Sequence, residues 1–176
     1  KVTDPGQASP IPLKDITPTI SGGFMNTFNY KFIDLSFNLS YSFGGYSYDN
    51  ASYILQDDGY SVISNKSTEQ RRRWQKPGDI TDVPRFVYGN KKGGNYNSSR
   101  AIHSTDHIRL KSLILGLNAP KAWLQKLGIG NARIYFSGTN LLTWAAYDQY
   151  DPEMSGVVGF YTPPLKTYAF GLELKF

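Results

Sequence analysis

The chain of 176 residues holds only two histidines, and both sit beside one carboxylate: His103 and His107 flank Asp106. On a helix this i,i+4 spacing would offer two imidazoles to a zinc ion. The segment instead runs into a strand-like stretch, where the same spacing separates the two rings by about 13 Å, so separate roles are expected. Asp148, Asp151 and Glu153 could coordinate calcium, but they lack the EF-hand spacing and Pro152 among them reads as a turn. Gly128-Ile129-Gly130 lacks the third glycine of a dinucleotide fingerprint, and no strand precedes it. Cysteine is absent, which rules out disulfides, thiolate metal sites and cysteine nucleophiles. No nucleophile–base set stands out, so neither an enzyme nor a cofactor or metal site is expected. The chemistry left is recognition. Arg73, Trp74, Arg85, Tyr88 and Tyr150 combine aromatic faces, which stack on sugar rings or peptides, with guanidinium groups that hold carboxylates. The competing reading is that Arg73, Trp74, Asp79 and Arg85 fold their own loop.

Residues of that kind need a scaffold, and the scaffold reads as β. Between Ile33 and Gly45 the residues Ile33, Leu35, Phe37, Leu39, Tyr41 and Phe43 alternate with Asp34, Ser36, Asn38, Ser40, Ser42 and Gly44. A period of two puts these sets on opposite faces of a strand. Pro18–Tyr30 gives a second strand of the same kind, with Asn26 on its apolar face, and a tight turn at Lys31-Phe32 joins the two. Asp106–Asn118 resumes the pattern but changes parity near Lys111-Ser112, which predicts a β-bulge there. Strands are also expected at 132–144 and 165–176. In the last, Tyr168, Phe170, Leu172, Leu174 and Phe176 oppose Thr167, Ala169, Gly171, Glu173 and Lys175.

Between the strands lie a Pro- and Gly-rich opening over 1–17, a long aperiodic stretch over 46–104, a short helix at Pro120–Leu127 closed by Gly128, and a second loop over 145–164. The long stretch is too long for a structureless connection, so it should be folded or functional. Two short helices are expected in it. Asn50 would cap one running to about Ile63, and Ser67-Thr68-Glu69-Gln70 reads as a capping box for a second, ended by Pro77-Gly78. Loops then alternate short and long along five strands, with short turns on one side and long loops on the other. That is the arrangement of outer-membrane β-barrels.

Composition agrees. Thirteen tyrosines, ten phenylalanines, seventeen glycines and ten prolines favour β structure with many turns over a helical bundle. No apolar run approaches the roughly 18 residues of a membrane helix. A net charge of +5 arises largely in the middle loop and comes with no nucleic-acid reader motif, so nucleic acid is not expected as a partner.

The loop sequence Arg73-Trp74-Gln75-Lys76-Pro77-Gly78-Asp79-Ile80-Thr81-Asp82-Val83-Pro84-Arg85 resembles a signature of the SusC/RagA-like TonB-linked outer-membrane transporters. So do Ile108–Gly116 with Pro120–Gly128, Ile134–Thr143 and Tyr150-Asp151-Pro152-Glu153, in the same order, followed by the terminal aromatic strand. The resemblance runs from about Pro18 to Phe176. It implies that residues 1–176 are the C-terminal part of the barrel domain of a longer chain, the last five strands of a barrel of about 22, with 46–104 and 145–164 as extracellular loops and the plug domain elsewhere. It further implies a bacterial outer-membrane location and import of glycans or peptides. The implied partners are a SusD-like surface lipoprotein acting as lid, TonB reached through the missing N-terminal part, the rest of the transporter, and membrane lipid. Tyr168, Phe170, Leu172, Leu174 and Phe176 would then be both lipid-facing and the C-terminal signal read by the barrel-assembly machinery. The alternatives are a soluble β-sandwich or lectin-like domain with tyrosine-rich binding loops, and a small free barrel with other cargo. Substitution separates them: Leu172→Arg should block insertion, and Glu173→Arg should be tolerated.

Overall fold

The computed structural model describes residues 11–90 and 99–176, apart from the side chain of Leu127. The first part of the opening loop and residues 91–98 of the long loop lie outside the described residues. Five long strands form one antiparallel sheet: β1 (Ile20–Tyr30), β2 (Ile33–Phe43), β5 (His107–Asn118), β6 (Asn131–Ala145) and β8 (Thr167–Lys175), in the order β1-β2-β5-β6-β8. Three short strands, β3 (Tyr46–Asp49), β4 (Ile102–Ser104) and β7 (Gly156–Val158), form a second sheet in the order β4-β3-β7. The helices are short: α1 (Asn50–Leu55), α2 (Lys121–Leu127) and 3-10 turns at Thr68–Arg72 and Ser99–Ala101. Among the described residues no helix is long and apolar enough to cross a membrane.

The registers put the alternating sets where the sequence pattern requires. Phe24 pairs with Leu39, Phe28 with Leu35, and Asn26 with Phe37. Leu35 continues to Leu115, and Leu115 to Phe136, which pairs with Phe170. One face of the sheet is therefore apolar across all five strands, tied by ring contacts such as Phe28–Phe37 at 6.2 Å and Phe136–Phe170 at 5.3 Å. Among the described residues no second layer covers it: Phe170 is 81% exposed and Leu172 62%. The buried apolar residues among those described, Val83, Ala101, Leu124 and Val158, lie away from this face, most of them in the loops.

The bulge falls where the parity change predicts it. Register shifts between Asn38 and Leu39 against β5, and between Leu110 and Ser112 against β6, leave Lys111 as the extra residue toward β2. On β6 the chain answers with Asn140-Leu141, Asn140 taking the left-handed backbone (φ 53°) that asparagine tolerates best among non-glycine residues. The bulge returns Leu113, Leu115 and Leu117 to the apolar face already occupied by Ile108 and Leu110.

The polar face is crowded. Arg133 bonds Asp34 at 2.6 Å and Glu173 at 3.3 Å, while Asn118 donates to Asp34 at 2.7 Å. The ring of Tyr135 lies on Gly171, where a Cβ would collide with it. Glu173 is thus paired with a guanidinium, so replacing it by arginine sets two cations together. The expected tolerance of Glu173→Arg is corrected on that ground.

The loop elements depart from expectation in their caps and their ends. The cap of α1 is Asp49, whose carboxylate accepts from the Ser52 amide at 2.9 Å and the Ser52 hydroxyl at 2.6 Å, rather than Asn50. The helix also ends at Leu55, well short of Ile63. The buried Asp57-Asp58-Gly59 turn stops it: Gly59 (φ 97°) packs on the backbone of Val87, where no side chain fits. Ser67 caps as read, accepting from the Glu69 amide at 3.3 Å, but the turn it starts is 3-10 and ends at Arg73 before reaching Pro77-Gly78. Gln70 does not close a capping box, because its amide is drawn to Asp58 at 3.1 Å. At α2, Pro120 stands at the N-cap and Gly128 (φ 67°) closes the helix in the left-handed region.

Candidate functional site

Beyond the strand ends that carry the long loops, the two loops interlock. The parallel pairing of β3 with β7 joins Ser47 to Gly156 and Asp49 to Val158, and β4 pairs with β3 on the other side. Ser47 Oγ donates to the Met154 carbonyl at 3.0 Å. The Tyr147 hydroxyl donates to Asp49 at 2.9 Å, and its ring lies flat on His103, with centroids 3.8 Å apart and planes 2° from parallel. Burial pushes the phenol of Tyr147 well above its ordinary range, assisted by the Asp49 carboxylate, and burial likewise raises Tyr150 and Tyr48. Burial also lowers His103, which favours the neutral imidazole against the Tyr147 ring.

A second cluster fastens this crown to the polar face of the wall. Arg109 on β5 is buried with Asp151: its Nη2 donates to Asp151 at 2.7 Å, its Nη1 to Glu153 at 2.9 Å, and its Nε to Thr143 at 3.1 Å. Lys111 Nζ reaches Glu153 at 2.5 Å. His107 Nδ1 lies 2.8 Å from the Thr105 carbonyl, with Nε2 3.8 Å from Glu153. The groups weighed in the sequence as metal ligands have other partners, His103 the Tyr147 ring and the Asp151/Glu153 pair an arginine and a lysine.

The five sequence-derived recognition residues do not converge. Arg73 donates from Nη1 to the Gln70 carbonyl at 3.1 Å, and the Trp74 amide donates to the Val83 carbonyl at 3.0 Å. Asp79 accepts from the amides of Gln75 and Lys76 at 2.9 and 3.0 Å, so this part of the signature folds its own turn. Arg85 and Tyr88 are exposed. Tyr150, 5.2 Å from Tyr147, is the one of the five that lines a described cavity. That cavity, of about 770 Å³, lies between the loop end of β6 and residues 148–166, with Trp144, Phe160 and Tyr161 in its wall. A smaller one of about 250 Å³ lies among α1, the 3-10 turns and His103, lined by Arg72, Arg100 and Tyr147. Sequence reading missed Tyr147, Asp49 and Arg109. The charge of Arg109 inside an apolar strand was the available signal for the last. The five residues of the C-terminal strand, Tyr168, Phe170, Leu172, Leu174 and Phe176, are all exposed.

An antiparallel wall with one uncovered apolar face, a polar opposite face and a crown of loops at one end defines a piece of a transmembrane β-barrel. Relatives carry this further. TonB-dependent receptor P3 of Formosa agariphila is 31% identical over 175 residues, which is 92% of this chain and 17% of that protein. TonB-dependent receptor P26 of the same organism is 33% identical over 141 residues, 78% of this chain and 14% of that protein. The solved RagAB peptide transporter superposes with a TM-score of 0.78 at 28% identity, over 93% of this chain and 18% of the other. The RagAB peptide importer in its "open-open" state gives 0.74 at 28% identity. No family model matches the chain. The chain is a portion of a SusC/RagA-like TonB-dependent receptor, as its motifs imply. It spans about a sixth of the length of the curated relatives it matches. Those relatives are receptors and transporters, not enzymes.

Proposed function

We propose that this chain supplies barrel wall and outer loops to a TonB-dependent importer of the bacterial outer membrane, taking up peptides or glycans together with a SusD-like surface lipoprotein. Residues 1–176 would be the C-terminal part of the barrel domain, with 46–104 and 145–164 outside the cell. The observation that carries the reading is the uncovered apolar face, continuous over five strands. In water such a face is a liability; in a bilayer it is the lipid contact. A soluble sandwich would need a second sheet against it, and the second sheet here is made by the loops instead. The open edges of β1 and β8 argue the same way, because unpaired backbone in lipid costs several kcal/mol per group. Neighbouring strands from the rest of the transporter would close them. The RagAB structures are described as a peptide transporter, which favours peptides as cargo. Mass and N-terminal sequence of the native protein, extracted with detergent, test the proposal. A chain several times longer than 176 residues, recovered with a surface lipoprotein, is expected. A free, water-soluble 19.8 kDa species would overturn it.

A further inference from the structure

The ladder between β6 and β8 stops at Thr139–Thr167, yet β6 continues to Ala145. On its other side this extension stays paired with β5 as far as His107–Ala145. On the β8 side, no main-chain bond continues the ladder among the described residues, and the Asn140 side-chain amide alone crosses, to the Leu165 carbonyl at 3.2 Å. The chain arriving at β8 touches β6 only at Asn140, and its Pro163-Pro164 have no N–H with which to extend the ladder. The cavity of about 770 Å³ opens on this notch. It lies within the range of small-ligand sites, and β6 offers about 20 Å of strand along it.

We infer that the notch binds a short oligopeptide by strand addition, the peptide running antiparallel to β6 with its amino end at Asp148 and its carboxyl end at Lys166. The polarity follows from geometry. A guest in line with β8 takes the direction of β8, so its carboxyl end meets the start of that strand and its amino end meets the chain just beyond Ala145. Asp148 and Lys166 are exposed, line the same cavity and carry the matching charges at those two ends. Trp144, Tyr150, Phe160 and Tyr161 provide apolar surface for alternate side chains, while main-chain bonds supply affinity with little sequence preference. This site rests on the importer reading above and narrows its cargo from peptides or glycans to peptides.

The test is calorimetric titration of the full-length transporter in detergent with a pentapeptide of alternating Ala and Leu. The free-ended peptide should bind. N-methylation at the residues whose N–H faces β6 should weaken it by about tenfold, the loss of one or two hydrogen bonds, while N-methylation at the alternate residues should not. Lys166→Glu should remove the preference for a free over an amidated carboxyl end, and Asp148→Lys the preference for a free over an acetylated amino end. Neither substitution touches the Arg109 cluster or the sheet. Binding indifferent to methylation position and to both charge reversals overturns the proposal. So does an absence of binding with those amides of 140–145 that face the notch, rather than β5, already protected from exchange, which would mean that the transporter's own chain fills the notch. Uptake of oligosaccharide by cells, without peptide binding, would sink this site and leave the importer intact. Peptide bound in the notch without any uptake would do the reverse.

Discussion

Arg109 joins wall to crown through Asp151 and Glu153. Its side chain is 4% exposed and that of Asp151 6%, so removing the guanidinium strands a buried carboxylate. Breaking such a pair costs about 3–5 kcal/mol. Arg109→Ala should therefore abolish exchange protection over 147–158 while the ladder amides of β2 and β6 stay protected, as read by hydrogen exchange of the protein in detergent. Arg109→Met, with Asp151 and Glu153 made Asn and Gln, should recover much of it. His103 brings a pH dependence of defined sign. Its folded-state pKa is lowered, chiefly by burial, so the folded crown prefers the neutral ring. The resulting stability is present above the unfolded value of about 6.5 and is lost as pH falls below it. Protection factors over 46–53 and 147–158, referred to the intrinsic exchange rate at each pH, should thus fall between neutral and mildly acidic pH, and His103→Phe should flatten the response. A crown equally protected across that window would show that the stacked ring carries no such coupling.

On β8 the two faces differ so clearly that neighbouring positions should respond oppositely. Leu172 lies mid-strand on the apolar face beside Ile134. Leu172→Arg should cost about 2–4 kcal/mol of insertion free energy if that point sits near the bilayer midplane, measurable by folding into vesicles. Glu173→Gln, which keeps the shape and removes only an exposed ion-pair partner of Arg133, should change little. Equal tolerance at both positions would argue against lipid on that face. Gly171→Val should cost about 1–3 kcal/mol, because Tyr135 already occupies the space of the missing side chain. Much of this was legible beforehand. Period-two alternation located all five long strands, and the parity change at Lys111-Ser112 located the bulge. Strict alternation leaves few other registers. The crown was not legible, because β3, β4 and β7 are too short for a period to show and pair only through distant partners. Asp49, rather than Asn50, caps α1, and the same carboxylate is also held by Tyr147, nearly a hundred positions away. The recognition residues were chosen by type within a family signature. A signature that ties its own turn, as Asp79 does to Gln75 and Lys76, displays its side chains without gathering them into one site.

Taken together, wall and crown form a unit with two chemically different surroundings. The wall needs an apolar exterior and two strand neighbours; the crown is held by hydrogen bonds and ion pairs of its own. Residues 11–176 alone should therefore fail to stay dispersed in buffer and should partition into detergent micelles or vesicles, a behaviour that sedimentation would show. Staying monomeric in buffer would require the exposed residues from Phe24 to Phe170 to be covered by an arrangement the sheet does not have.

The parallel union of β3 with β7 also dictates an order of events. Ser47 meets Gly156 across more than a hundred intervening residues, whereas each hairpin of the wall closes over far shorter distances. Contacts this remote in sequence form late, since the entropy of closing so large a loop is recovered only once the intervening chain is already in place. The wall must therefore zip together before the crown can lock. During that interval β3 and β4 are a bare pair, and α1 hangs from Asp49 before Tyr147 has arrived. A chain ending after β6 should thus assemble an ordered sheet beneath a molten outer end. Ordering of this segment is thus finished at the loop end of the sheet, when β7 docks on β3.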